Sequence, residues 1–189
     1  RIAPIIDSKT LVCWGSKGLG EIDSKSVFLH EIAENVCGKE QLLAVIGGPS
    51  FAKEVASHTP TAVVVASAQS EALDRSIALL HHDGMRCYSS TDITGVELCG
   101  VIKNVLAVAA GVSDGLALGA NTRSALITRG LAEMQRLGVK LSAHPKTFMG
   151  LAGVGDVVLS CTSDLSRNRR LGLALGRGQT LEDTLKTIG

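Results

Sequence analysis

Apolar residues change their spacing once along this chain, and the change divides it in two. Over the first ninety residues, short β-rich runs alternate with stretches of helical period. The spacing predicts strands at 10–14, 43–46, 62–66 and 85–88, and helices at 24–36, 51–57 and 71–81. That alternation is the grammar of an α/β sheet, and the close spacing of the later strands allows part of the sheet to be mixed. From about Asp92 the β signal stops, and helical patterns cover 96–110, 122–137, 145–151, 157–161, 167–175 and 181–188. The fold class expected is α/β plus all-α, divided as 1–91 and 92–189. Ligand sites favour such junctions.

Composition narrows the partners. Nineteen Lys+Arg against eighteen Asp+Glu leave a formal charge of +1, so no global field draws the chain to nucleic acid or to an anionic membrane. Aromatics at 3% are too few for base-stacking platforms. The five cysteines (13, 37, 87, 99, 161) are scattered and odd in number, which suits free thiols in a reducing compartment better than a disulfide scaffold. The longest apolar stretch, 101–112, is broken by Lys103 and Asn104 and reads as too short for a membrane span. The five histidines lack metal-ligand spacing, and no metal site is expected. The opening residues read as the middle of something, so a fragment is expected.

The polar anomalies carry the chemistry. Lys103 and Asn104 interrupt an apolar helix, sharing one face with Gly100, Ala107 and Gly111. A lysine there either snorkels to solvent or meets an acidic partner or ligand in a slot left by the small residues. Glu97, six residues earlier, is a poor same-face partner. Lys17 follows directly on the first strand, as an ordinary loop lysine or a ligand contact at the sheet edge. Gly47-Gly48-Pro49-Ser50 joins a strand to a helix, where Ser50 can serve as cap and free amides can face a ligand. Asp156 follows Gly153-Val154-Gly155; helix capping explains it fully, while the alternative is a carboxylate meeting a ligand or the Lys103 ammonium. Ser166 caps a helix that opens with Arg167, Asn168, Arg169 and Arg170. Arg167 and Asn168 are the better ligand candidates, and Arg169 and Arg170 read as a solvated basic face. No Gly-x-Gly-x-x-Gly fingerprint follows any strand.

Taken together, the stretches around K17-G-L-G, G48-P-S-F-A-K-E-V, T91-D-I-T-G-V-E-L-C-G-V-I-K-N-V, N121-T-R-S-A-L-I-T-R-G-L-A-E-M, F148-M-G-L-A-G-V-G-D and S166-R-N-R-R resemble the bacterial type of NAD(P)-dependent glycerol-3-phosphate dehydrogenase. The resemblance runs in family order from Lys17 nearly to the end. It implies an oxidoreductase that interconverts glycerone phosphate and sn-glycerol 3-phosphate with NAD or NADP, for glycerophospholipid synthesis. It also implies that 1–91 is the later part of a Rossmann-type nucleotide-binding domain and 92–189 a helical substrate-binding and catalytic domain, truncated at its end. By the same resemblance, Lys103 is the catalytic acid/base. Lys17, Gly48, Ser50, Asn104, Asp156, Ser166, Arg167 and Asn168 join it as substrate contacts, and Lys17, Ala52 and Arg167 contact the cofactor. Ser160 stands where related sequences often have Thr, and Cys99 replaces a common Gly. A homodimer in the cytoplasm, with no stable membrane insertion, completes the expectation.

Overall fold

The computed structural model describes residues 5–188. Its first part runs β1 (Leu11–Trp14), β2 (Gly20–Ile22), β3 (Lys25–Val27), α1 (Leu29–Cys37), β4 (Leu42–Gly47), α2 (Ala52–Ala56), β5 (Thr61–Ala66), α3 (Ser70–Leu80) and β6 (Met85–Ser90). The main sheet has the order β1-β4-β5-β6 and is mixed: β1 pairs parallel to β4, β4 antiparallel to β5, and β5 parallel to β6. β4 and β5 are continuous runs of Leu, Val, Ile and Ala because both faces are covered. On one face Ala44, Val63, Val65 and Cys87 pack against Leu73 and Ile77 of α3.

The helix expected at 24–36 is a correction. Residues 25–27 form the second arm of a hairpin, and the helix begins only at Leu29. Asp23 and Ser24 take φ of +49° and +61°, the left-handed pair a two-residue hairpin turn demands. Glu31 then reaches back to the Phe28 amide at 2.6 Å and fixes the helix start.

The second part is helical: α4 (Ile93–Gly115), α5 (Gly119–Lys140), α6 (Pro145–Phe148), a π-helical turn (Leu151–Gly155), α7 (Asp156–Thr162), α8 (Arg167–Gly176) and α9 (Leu181–Ile188). The helix expected at 145–151 therefore stops at Phe148, and the Leu-Ala-Gly-Val-Gly run widens into the π turn. The Asp92 carboxylate caps α4 by accepting from the Gly95 amide at 2.9 Å, and its other oxygen accepts from the His144 amide at 2.8 Å. One helix N-terminus is thereby tied to the segment that leads into α6.

α4 is the axis of this part. It packs on α8 almost backbone to backbone: a Cβ on Gly111 would strike the Arg169 carbonyl, and one on Gly172 the Val108 carbonyl. The slot suggested by small residues along α4 is thus occupied, at Gly111, by another helix. One apolar cluster, including Val45, Ala66, Val96, Leu98, Ala107, Met134, Phe148 and Val157, runs from the sheet through α4 into the helices. At 23 residues α4 exceeds the apolar stretch read from the sequence, and it has the length and composition of a bilayer span; half of its most apolar window is nevertheless buried.

Candidate active site at the sheet–helix junction

β1 and β4 are parallel neighbours, so the loop after β1 and the turn after β4 leave the same sheet edge side by side. Lys17 comes from the first and Gly48 from the second. Gly48 adopts φ +109°, a conformation that favours glycine, and its carbonyl lies 3.4 Å from the Lys17 Nζ. Opposite this edge, α4 presents Lys103 and the π turn delivers Asp156 as the first residue of α7.

Asp156 joins the two lysines. Its Oδ1 accepts from Lys103 Nζ and its Oδ2 from Lys17 Nζ, both at 2.6 Å. The carboxylate is 1% exposed, so it does not act as a solvated helix cap. The helix-capping expectation for Asp156 is overturned, since α7 has no side-chain cap and this carboxylate is committed to the two ammonium groups. Lys103 is buried and does not snorkel to solvent. Its ammonium also donates to Ser160 Oγ at 3.1 Å, one turn beyond Asp156 on α7. Gly100, one turn before Lys103, makes room for the aliphatic stem of Lys17: a Cβ there would sit 3.0 Å from the Lys17 Cγ.

Electrostatics follow from this geometry. Burial pushes the Lys103 ammonium down to about 8; Asp156 opposes the shift and the neighbouring Lys17 charge adds to it. With both lysines protonated, one carboxylate faces two ammonium groups, and the centre carries a net positive charge. Lys103 is therefore a group that can hold or release a proton near neutrality, inside a site that attracts anions.

A cleft of about 660 Å³ opens beside Lys103. Ser50, Ala52 and Lys53 wall one side, and Asn104, Ser166, Arg167 and Asn168 another. Asn168 Nδ2 donates to Asn104 Oδ1 at 2.9 Å, locking the start of α8 onto α4. Ser166 caps α8 as expected, accepting from the Arg169 amide at 3.3 Å. Arg167 is exposed to the cleft and has no ion pair among the described residues. The expectation that Ser50 caps a helix fails: its hydroxyl turns back to the Gly48 carbonyl, and α2 begins after Phe51.

One further correction concerns Arg169, and one expectation, for Glu97, holds with an added role. Arg169 is not part of a solvated face; it is buried and bound to Asp114 and Asp164. Glu97 is indeed not a partner of Lys103, but it is buried and binds the Trp14 indole at 3.1 Å and His30 Nδ1 at 2.5 Å. Neither arrangement could be found from spacing, because the partners lie on other elements. The expected thiol behaviour is seen at Cys87, Cys99 and Cys161, which are buried and free, whereas Cys13 is exposed.

These features define a Rossmann-like α/β sheet joined to a helical lobe, with a lysine–aspartate–lysine centre where they meet. The sequence matches a family model described as the NAD-dependent glycerol-3-phosphate dehydrogenase C-terminus over residues 92–189, and the corresponding N-terminus model over 1–73. The chain belongs to the NAD-dependent glycerol-3-phosphate dehydrogenase family. It is 52% identical over 189 residues to the glycerol-3-phosphate dehydrogenase [NAD(P)+] of Halorhodospira halophila, covering 56% of that protein. Identity to the protein of the same name from Stenotrophomonas maltophilia is 52% over 188 residues, with 54% of that protein covered. The crystal structure of glycerol-3-phosphate dehydrogenase from Coxiella burnetii superposes with a TM-score of 0.94 at 49% identity, covering the whole of this chain and 57% of that one. DsGPDH of Dunaliella salina, at 24% identity and a TM-score of 0.89 over 98% of this chain and 33% of that one, shares the fold. The chain thus spans about half the length of the curated relatives it matches.

Proposed function

We propose that the intact protein reduces glycerone phosphate to sn-glycerol 3-phosphate, and catalyses the reverse reaction, using NAD or NADP. The observation that carries this reading is Lys103: a buried ammonium, held by Asp156 and pushed down to about 8, at the wall of a cleft that also holds Arg167 and Asn168. The names of the relatives support it.

A nicotinamide fits this site by the character of its walls. Ala52 adds only a methyl group to the cleft wall, and the turn before it passes through Gly48 at φ +109°, a conformation that favours glycine. Lys17, Ala52 and Arg167 are the residues of this chain that would hold the cofactor, and bound there it supplies or accepts the hydride at C2 of the substrate. Lys103 supplies the proton. As C2 is reduced, negative charge grows on its oxygen, and the Lys103 ammonium stabilises that charge and transfers a proton to it. In the oxidative direction neutral Lys103 Nζ takes the proton from the C2 hydroxyl. Asp156 keeps the Lys103 side chain aimed and, through Lys17, sets the local charge. Arg167, Asn168 and the amides at the start of α8 hold the phosphate, with Ser166 shaping that turn. Ser50 and Asn104 line the cleft between the two ends, and Gly48 holds Lys17 through its carbonyl. Free thiols buried at Cys87, Cys99 and Cys161 support work in a reducing compartment, the cytoplasm.

The test is turnover of glycerone phosphate by the intact protein, with NADH and NADPH supplied separately. Phosphate binding without oxidation of either nucleotide would replace this reading with that of an anion-binding module. Turnover of another phosphorylated or hydroxy acid substrate in preference would reassign the substrate.

A further inference from the structure

The first turn of α8 sends neighbouring cations in opposite directions. Arg167 faces the cleft, whereas Arg169, two residues on, is buried on the other side. Arg169 donates through Nε and Nη2 to Asp114 Oδ2 at 3.1 and 2.6 Å, and through Nη1 to Asp164 Oδ1 at 2.5 Å. Asp114 Oδ1 accepts from Arg123 Nη1 at 2.8 Å. Asp114 ends α4, Arg123 lies in the first turns of α5, Asp164 sits in the loop before α8, and Arg169 belongs to α8. The Asp114 carboxylate therefore gathers three helices, and Arg169 adds the loop that leads into the last of them.

A guanidinium buried this far is costly unless paired, so its position is tightly set by Asp114. The backbone of Arg169 is fixed as well. Its amide is capped by Ser166, and its carbonyl lies against Gly111 of α4 with no space for a Cβ between them. The two residues ahead of it, Arg167 and Asn168, occupy the first helical positions, whose amides have no acceptor within the helix. Any slackness in Arg169 is passed directly to them.

We infer that Asp114 and Arg169 are positioning residues for phosphate recognition. The pair sets the register and tilt of the α8 start, so that Arg167, Asn168 and their free amides face the cleft. With Asp114 taken up by Arg169, Arg167 makes no ion pair among the described residues and is the arginine of that turn that lines the cleft. This inference rests on the proposed phosphate role of the α8 turn.

Asp114→Asn in the intact protein should raise KM for glycerone phosphate about tenfold while kcat changes less than about threefold. The alkaline limb set by Lys103 should stay where it is. Reduction of dihydroxyacetone, which lacks the phosphate, should be little affected. An unchanged KM for glycerone phosphate, or equal losses on both ketones, overturns the inference. Asp164→Asn removes a carboxylate whose side chain is 92% exposed, so it spares the fold if Asp114→Asn melts at ordinary temperature. It should raise the same KM about twofold, and no rise overturns the inference. If the unmodified protein reduces neither ketone, the proposed function has failed by itself. Titration with inorganic phosphate then decides the role of the pair: weaker binding by both variants supports it and equal binding overturns it.

Discussion

At the scale of single residues, the chemistry depends on where one ammonium stands. Lys103 is displaced toward neutrality because burial disfavours its charged form, and Asp156 restores only part of the loss. The proposed reduction needs the protonated amine. Its kcat should be level below pH 8 and fall as pH rises through about 8, while kcat for oxidation rises over the same interval. A pH–rate profile in both directions checks this, and parallel limbs would contradict it. Asp156→Asn removes the anion and leaves two ammonium groups facing each other, so the reductive limb should move to lower pH. Lys103→Ala should lower kcat by about 10²–10⁴ with far less effect on KM. Near-normal kcat would remove Lys103 from the mechanism. The lysine itself was legible as an anomaly in an apolar helix. Its partner was not, because Asp156 has an equally good local reason to exist as a cap.

Among the elements, α4 brings Lys103 and α8 brings Arg167 and Asn168 to the cleft, and the crossing of these two helices is set by glycine. Gly111 and Gly115 of α4 meet Gly172 and Gly176 of α8, so each helix lies where the other's side chains would otherwise stand. Gly172→Ala should therefore cost about 1–3 kcal/mol, since the new Cβ meets backbone that has no flexible end to give. Urea unfolding measures the loss, and an unaltered midpoint would show that the crossing can relax. The helical period at 167–175 was readable because that helix carries an amphipathic pattern, and the one at 96–110 as a long, mainly apolar run of small residues with Lys103 and Asn104 on one face. The hairpin at 20–27 was not: Ser24 to Val27 are too few residues to establish a period, and the turn uses Asp and Ser in left-handed conformations instead of the more familiar Asn-Gly.

For the whole molecule, the sheet and the helices are held as one body by a shared apolar core and by Glu97. From α4 this carboxylate reaches the Trp14 indole at the end of β1 and His30 on α1. The hydrogen bond that His30 donates to Glu97, opposed by burial and aided by nearby carboxylates, raises His30 above its usual 6.5. A group raised on folding stabilises the fold fully below its unfolded value and loses that contribution as pH rises through the folded one. Stability should accordingly decline from pH 6.5 upward, and Glu97→Gln should flatten that part of the curve in thermal melts across pH. The same slope in wild type and variant would assign it to other groups.

The sequence by itself determined the order and type of most elements, the change from strands to helices after β6, a lysine anomalous in an apolar helix and the motifs that resemble one dehydrogenase family. Tertiary structure decided which groups meet. Lys103 and Asp156 are 53 residues apart, and Lys17 and Asp156 are 139 apart. It also turned Arg169 inward and Arg167 outward from the same helical turn. Local spacing specifies only neighbours one turn or one strand residue away, so it can mark a charge as expensive to bury. The packing of α4, α7 and α8 against the sheet edge supplies the opposite charge that makes the burial tolerable.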